Sequence, residues 1–401
     1  MSKVAHTPQL RFPEFSGDWE EKKLSDISDV RDGTHESPKY VLDGFPLITS
    51  KNLLSNGSID FENINLVSEE DYTNINKRSK VDINDILFGM IGTIGNPVIV
   101  KETGFAIKNV ALIKQQKELL NKFMIFYLSG NSIAKQFYIE NTGGTQKFLA
   151  LGVIRSLKIK FPPDTEQQKI AAFLTAVDNK IEQLSKKQAL LGEYKKGLMQ
   201  QIFSQVIRFK ADDGSEFPDW EERVLGDYLA HKSKKNKNNE VDLVLSVSNK
   251  KGFITQDEQF DGYQVASKDL TNYKIVEKGE YAYNPSRINV GSIARLKNNT
   301  IGIVSPMYVV FKLKNLDSIF FDNLYQTHLF KHLIKVGCSG SVRDSLNFND
   351  MADFVFSFPS LEEQAKIANF LSSIDSKIEQ VGKQLDESKQ FKKALLQQMF
   401  I

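Results

Sequence analysis

The sequence predicts an α+β fold: two mixed α/β heads joined by two long helices that form an antiparallel coiled coil, with an internal pseudo-two-fold repeat. Three observations carry this. The stretch "FPPDTEQQKIAAFL" at 161–174 returns as "FPSLEEQAKIANFL" at 358–371. Residues 161–203 align with 358–400 without a gap, at an offset of 197, with 21 of 43 positions identical. A weaker echo opens each half, "WEEKKLSDI" at 19–27 and "WEERVLGDY" at 220–228, and it holds both tryptophans of the chain. Repeats of this kind define the architecture before any single motif does.

The chain therefore divides into a first head at 1–160, a central helix at 161–205, a second head at 206–357 and a C-terminal helix at 358–401. Each repeated connector carries a heptad seam. In the first copy it begins Ile170, Leu174, Val177, Ile181, Leu184; in the second, Ile367, Leu371, Ile374, Ile378, Val381. Gln188, Lys195, Ser388 and Lys392 interrupt the two seams and help to fix register. Pro162 and Pro359 mark the helix starts. Ser360 with Glu363 fits a capping box, and Asp164 or Thr165 fits a cap in the first copy. Each helix is ~57 Å long at 1.5 Å per residue. The first leaves head one and enters head two, and the second leaves head two, so a packed pair runs antiparallel.

Within the heads, "VDINDILFGMIG", "PVIVKETGFAIKNVALIK" and "IGIVSPMYVVFKL" read as strands, rich in β-branched residues and broken by turns. "KELLNKFMIFYLSGNSIAKQFYIEN" and "FDNLYQTHLFKHLIKVG" read as helices with broad apolar faces. "DWEEKK" reads as a short amphipathic helix. Residues 31–140 and 230–336 show no alignment by eye: similar connectors frame different contents.

Composition excludes several classes. Apolar residues make up 41% and charged residues 25%, which supports folded cores. No apolar run reaches 18 residues, and the opening "MSKVAHTPQLRF" lacks a secretory apolar stretch, so a soluble cytoplasmic protein without membrane contact is expected. Cys338 is the single cysteine, which rules out an intramolecular disulfide and a cysteine-based zinc site. No phosphate-binding G-x-x-x-x-G-K-[ST] loop occurs, and the glycines of "GMIGTIG" do not follow G-x-G-x-x-G. His328 and His332 stand four apart, but position 329 is Leu where a zinc hydrolase motif needs Glu. No catalytic and no metal-binding residues are expected.

Two related but unequal heads suit a duplex. Dimeric readers place equivalent domains on successive groove faces, and a single chain can do this on an unequal target. The net charge of +2 is mild for such a role and neither demands nor forbids DNA.

At this point a family resemblance is plain. The doubled Phe-Pro-x-x-x-E-Q-x-K-I-A-x-F-L, "DGTHESPKY" (32–40), "DILFGMIGTIG" (85–95), "YNPSRINVGSI" (283–293) and "FPDWEERVLGD" (217–227) resemble the specificity subunit of type I restriction-modification systems, over essentially the whole chain. The resemblance implies two target-recognition domains, double-stranded DNA recognised at an interrupted asymmetric site, and helices that dock modification subunits, with two such subunits expected. It implies that S-adenosylmethionine sits in those partners and no cofactor in this chain, that restriction subunits join a larger complex, and that this chain catalyses nothing. A coiled-coil assembly scaffold without base readout is the competing reading.

Candidate DNA contacts come from polar, turn-rich stretches. In head one these are Thr34, His35 and Lys39 in "RDGTHESPKY", and Lys51 and Asn52 in "TSKNL". "TGGTQKF" offers Gln146 and Lys147, and its counterpart "CSGSVRD" offers Arg343. In head two the charge run "HKSKKNKNN" supplies Lys234 and Lys235, and "YNPSRINVG" supplies Tyr283, Asn284, Ser286 and Arg287. Solvated loops, a solvated charge run and a proline turn ending a strand are the structural alternatives for the same residues.

Overall fold

Proline sets where each long helix begins. The computed structural model describes residues 7–130, 133, 136, 148–255, 269–338 and 345–401. In it the central helix runs Asp164–Phe203 and the C-terminal helix Leu361–Gln398. The expected capping box forms by half: Ser360 Oγ accepts from Glu363 N at 3.3 Å. The Glu363 carboxylate does not return to Ser360, because Arg208 and Trp220 hold it. In the first copy Asp164 is already helical, and the Pro163 carbonyl receives Glu166 N and Gln167 N.

Packing shares both helices between two units, Met1–Lys186 with Gly382–Ile401, and Lys187–Val381. Each unit thus holds one head and a stretch of each helix. In the first, Ile170, Ala171 and Leu174 share a core with Leu395, Met399 and Phe400. In the second, Ile367, Leu371 and Ile374 share one with Met199 and Ile202. The helix stretches are antiparallel within each unit. Lys392 meets Asp178 at 2.6 Å in the first, and Lys195 meets Asp375 at 2.7 Å in the second. These are one bond written twice, since both residues recur at the offset of 197. The two lysines that interrupt the apolar seams therefore make ion pairs. The ten seam residues named from the sequence are all buried or half-buried.

The repeated E-Q of the helix motif builds a clasp. Glu166 and Glu363 have side chains only 1% and 0% exposed. Arg11 grips Glu166 in a two-pronged bond, Nε to Oε1 at 2.8 Å and a terminal nitrogen to Oε2 at 2.7 Å. Arg208 grips Glu363 in the same way at 3.3 and 2.9 Å. This geometry matches guanidinium to carboxylate and satisfies a charge that burial would otherwise penalise heavily. The next residue is a latch. Gln167 Oε1 accepts from Leu120 N, and its amide donates to the Pro162 carbonyl, both at 2.9 Å. Gln364 repeats this with Asp317 N and the Pro359 carbonyl, again at 2.9 Å. An aromatic triad backs each clasp. Trp19, Phe123 and Phe400 do so in the first unit, and Trp220, Phe320 and Phe203 in the second, with ring centroids 5.3–6.5 Å apart.

"DWEEKK" is not a helix. Glu20–Lys23 is strand β1, paired antiparallel with the tenth strand, Lys158–Phe161, just before Pro162. Glu221–Val224 pairs with Val355–Phe358 in the same register, Glu20 to Phe161 and Glu221 to Phe358. A single helical turn, Leu24–Ile27, follows the first. Glu, Lys and Arg favour helix in isolation, but pairing with the partner strand's open edge overrides that preference.

The heads share a sheet that their sequences conceal. Head one continues with β2 (Val30–Asp32), β3 (Tyr40–Val41), β4 (Phe45–Thr49), β5 (Asn65–Val67), β6 (Ile86–Gly89), β7 (Gly95–Ile99), β8 (Ala106–Lys108), β9 (Val110–Ile113) and β10 (Lys158–Phe161). Head two has β11 (Glu221–Val224), β12 (Leu229–Lys232), β13 (Leu245–Ser248), β14 (Gly252–Thr255), β15 (Lys274–Glu277), β16 (Tyr281–Tyr283), β17 (Ile293–Arg295), β18 (Ile301–Val304), β19 (Val309–Leu313) and β20 (Val355–Phe358). The order β2-β9-β6-β7 in head one matches β12-β19-β16-β17 in head two, antiparallel throughout. Beside it head one adds β3-β5-β4-β8, whereas head two has the pairs β13-β14 and β15-β18. Asn109, with φ +54°, turns the chain between β8 in one sheet and β9 in the other.

The clasp makes a stability prediction. Arg11→Ala leaves the Glu166 carboxylate buried without its cation, and should destabilise the first unit by about 3 kcal/mol. Arg208→Ala should do the same to the second. Chemical denaturation followed in each variant checks this, and an unchanged midpoint for both would refute it.

Candidate nucleic-acid interface

In head one a glycine decides the local path. A Cβ on Gly33 would lie 2.3 Å from the Ile107 carbonyl oxygen, so only glycine lets β2 run on beside β8. Thr34 N then donates to Ile107 O at 3.0 Å, and Asn109 N donates to Thr34 O at 3.2 Å. This sets His35 between two oxygens: Nδ1 is 2.8 Å from Asn109 Oδ1, and Nε2 is 2.7 Å from Asp32 Oδ2. Asp32 is buried and also receives Arg78. The hydrogen bond to Asp32, then the one to Asn109, raise the His35 pKa above its ordinary 6.5, against a smaller opposing effect of burial and of Arg78. The ring sits at the head's surface between groups that favour its charged form.

Ser50 ties a second loop to the same place. Its Oγ donates to the Asn109 carbonyl at 3.0 Å and accepts from Met90 N at 3.1 Å. Thr34, His35 and Lys51 are thus gathered around Asn109 and the β6–β7 hairpin, and Lys39 lies exposed farther along the same loop. Asn52 does not belong with them. It is buried, its Oδ1 accepts from Thr49 N and Oγ1, and its amide donates to Asn63 O at 3.0 Å. Those bonds lock the loop and leave nothing for a base edge.

Head two places its own hairpin, β16–β17, at the equivalent point of the shared sheet. One bond identifies the equivalence. Leu149 N donates to Met90 O in head one, and Leu346 N donates to Pro285 O in head two, with the two leucines at the offset of 197. "GMIGTIG" and "YNPSRINVGSI" are therefore the same hairpin in two heads. Tyr283 is corrected: it is 0% exposed and its hydroxyl donates to the Leu346 carbonyl at 3.2 Å, so it is a core residue. Asn284 Oδ1 accepts from Ser286 N at 3.1 Å and shapes the turn, while Ser286 and Arg287 are exposed. Lys235 bonds Asn272 Oδ1 at 3.1 Å, and Lys234 lies 3.8 Å from Glu277. Lys274, opposite Lys235, donates to the Tyr308 carbonyl at 2.6 Å. Burial, then the neighbouring Lys235 charge, lower the Lys274 pKa. Gln146, Lys147 and Arg343 lie outside the described residues.

Arg78, Asn109 and Asn249 complete these surfaces and were not anticipated. Arg78 and Asn249 gave no sequence signal, because each reaches its place through tertiary packing. Asn109 gave one: a polar Lys-Asn pair interrupts the apolar run "GFAIKNVALI".

Relatives place this arrangement. The profile described as "Type I restriction modification DNA specificity domain" matches residues 16–191 and again 218–388. The chain belongs to this family, as a specificity subunit of a type I restriction-modification system with two target-recognition domains. It is 26% identical over 96% of its length to a Methanocaldococcus jannaschii chain named as the MjaX type I restriction enzyme specificity subunit, covering 93% of that chain. To the MjaVIII specificity subunit of the same organism it is 22% identical, covering 96% of this chain and 92% of the relative. In fold it resembles the type I S subunit from M. genitalium, with a TM-score of 0.60 at 16% identity over 98% of this chain and 99% of that one. Among the described residues, no helix is long and apolar enough to cross a membrane.

The His35 geometry sets a pH dependence. Its folded pKa is raised, so its bonds stabilise head one fully below the unfolded value near 6.5 and are lost as pH rises through the folded value. Wild type should therefore exceed His35→Gln in thermal stability at pH 5.5, and the gap should close with rising pH. A gap that widens with pH would contradict the assignment.

Proposed function

We propose that each head reads one half of an interrupted, asymmetric site in double-stranded DNA, and that the two long helices set the gap between the halves and dock the modification subunits. The observation that carries this is the contrast inside the repeat. Clasp, aromatic triad and central sheet recur, while the hairpins at the sheet's end hold different residues in the two heads. A frame repeated for assembly, with unequal loops, is what an unequal target requires.

The chain acts in this reading without catalysis and without a cofactor of its own. S-adenosylmethionine belongs to the modification subunits, which methylate the site. Two such subunits bind, one to each repeat, and restriction subunits join the full complex in the cytoplasm. Exposed aromatics support docking at two equivalent places. Tyr194 is 57% and Phe391 52% exposed, and they occupy the same repeat position on helix faces otherwise rich in charge. Each is followed by two lysines, of which the first makes the Asp375 or Asp178 pair and the second, Lys196 or Lys393, has no ion pair among the described residues.

Exchange of residues 30–157 for those of a relative should change one half of the methylated site and leave the other half and the gap intact. Mapping methylated adenines in cells carrying the hybrid reads this directly. Unchanged methylation positions would favour the scaffold reading instead. Tyr194→Ser combined with Phe391→Ser should lower co-purification of modification subunits at least tenfold with no loss of thermal stability. Full retention of both partners would remove the aromatics from the docking surface.

A further inference from the structure

The second head has a polar cleft that its own turn chemistry holds open. It is walled by Ser246, Ser248, Asn249, Asn284, Arg287 and Ser292, with Val247 and Tyr308 behind. Most of these polar side chains are spent on the backbone. Asn284 Oδ1 accepts from Ser286 N, and Ser292 Oγ donates to Val247 O at 2.8 Å. Ser248 Oγ accepts from Lys250 N at 3.3 Å, and Tyr308 Oη accepts from Val247 N at 3.5 Å. These bonds pin β13 against the β16–β17 hairpin. Gly291, at φ +96°, completes the turn in a conformation that side chains rarely adopt.

Among the described residues, two long polar side chains on this frame, Arg287 and Asn249, have no hydrogen-bond partner. Arg287 is exposed, and its backbone is fixed at both ends, N donating to Asn284 O at 3.0 Å and O accepting from Ser292 N at 3.1 Å. A guanidinium on a rigid turn, with no carboxylate partner among the described residues, is suited to a planar two-acceptor edge. Guanine offers that edge in the major groove through O6 and N7, and adenine offers Asn the matching donor and acceptor through N6 and N7. Lys274 and Lys235, beyond Tyr308, give the rim positive charge for the flanking phosphates.

Head one differs at the same hairpin. Ile91 and Phe148, joined in an isolated bridge, are 39% and 47% exposed there. The equivalent place is thus apolar in one head and amide- and guanidinium-bearing in the other.

We propose that Arg287 and Asn249 determine specificity in the second head, with Arg287 reading a guanine and Asn249 an adjacent adenine in that head's half-site. This rests on the reading of the chain as a half-site reader. The test uses the whole chain assembled with its modification subunits, and maps methylated adenines for wild type, Arg287→Ala, Arg287→Lys and Asn249→Ala. Wild type reports whether a two-part site exists at all, so a failure of the broader reading shows there and not in the variants. Arg287→Ala should relax one guanine position in one half-site, with discrimination falling about tenfold. Arg287→Lys, which keeps the charge and loses the fork, should relax the same position. Asn249→Ala should relax a neighbouring adenine. Unaltered preference in all three variants would overturn the proposal. So would a uniform loss across all sequences with a shallower salt dependence, which would make Arg287 a phosphate contact. Thermal melts should match wild type, since Arg287 is exposed and makes no side-chain bond.

Discussion

A carboxylate buried at the first turn of a long helix is the constraint on which each half of this protein is built. Glu166 and Glu363 sit where free backbone N–H groups favour negative charge, yet that alone does not offset full burial. Each needs a cation, and the cation comes from outside the helix, at Arg11 or Arg208. The bond therefore brings the segment before each head against the segment after it. Between those two segments lies the β1–β10 or β11–β20 pair, in identical register. The neighbouring glutamine attaches the head's own helix start, through Leu120 N or Asp317 N. One dipeptide thus fixes the start of the long helix, closes the head and joins the two, which accounts for its presence in both copies.

Legibility in the sequence followed the strictness of each physical requirement. A heptad seam tolerates few exceptions, so both helices and their apolar faces were visible, and the interrupting lysines were visible as interruptions. The central sheet asks only for apolar or β-branched residues at alternate positions. Two such sheets can share a strand order while "ILFG" and "YAY" share nothing. Neither arginine clasp was read from the sequence, and the repeat of the arginines was hidden for a simple reason. Arg11-Phe12 and Arg208-Phe209 keep the offset of 197, but the tryptophans after them are offset by 201. Aligning on tryptophan moved the arginines out of register.

The candidate interface was only partly legible because loop composition does not say which polar groups are spent internally. Asn52 and Tyr283 have the residue types of DNA contacts. Asn52 is consumed by Thr49 and Asn63, and Tyr283 by Leu346. Thr34, His35, Lys51 and Arg287 belong to the same stretches and remain at the surface. The difference lies in register and in one or two glycines. Gly33 admits β2 beside Ile107 and so turns His35 outward onto Asp32 and Asn109.

The net charge of +2 is a balance of 52 basic against 50 acidic residues, and part of the basic set is committed to the frame. Many of the lysines and arginines serve the frame: Arg11, Arg208, Lys195 and Lys392 all face carboxylates. Cations committed in this way add nothing to attraction for a phosphate backbone. At the hairpin ends, Arg287 is instead held at the surface by a turn and makes no ion pair among the described residues. In the reading proposed above, discrimination rests on directed hydrogen bonds made by side chains whose backbones are already fixed. Ordering those side chains on binding costs less than ordering a flexible loop. The hairpin can accordingly change its contents between heads, from five residues at 90–94 to nine at 284–292, without disturbing the clasp below it.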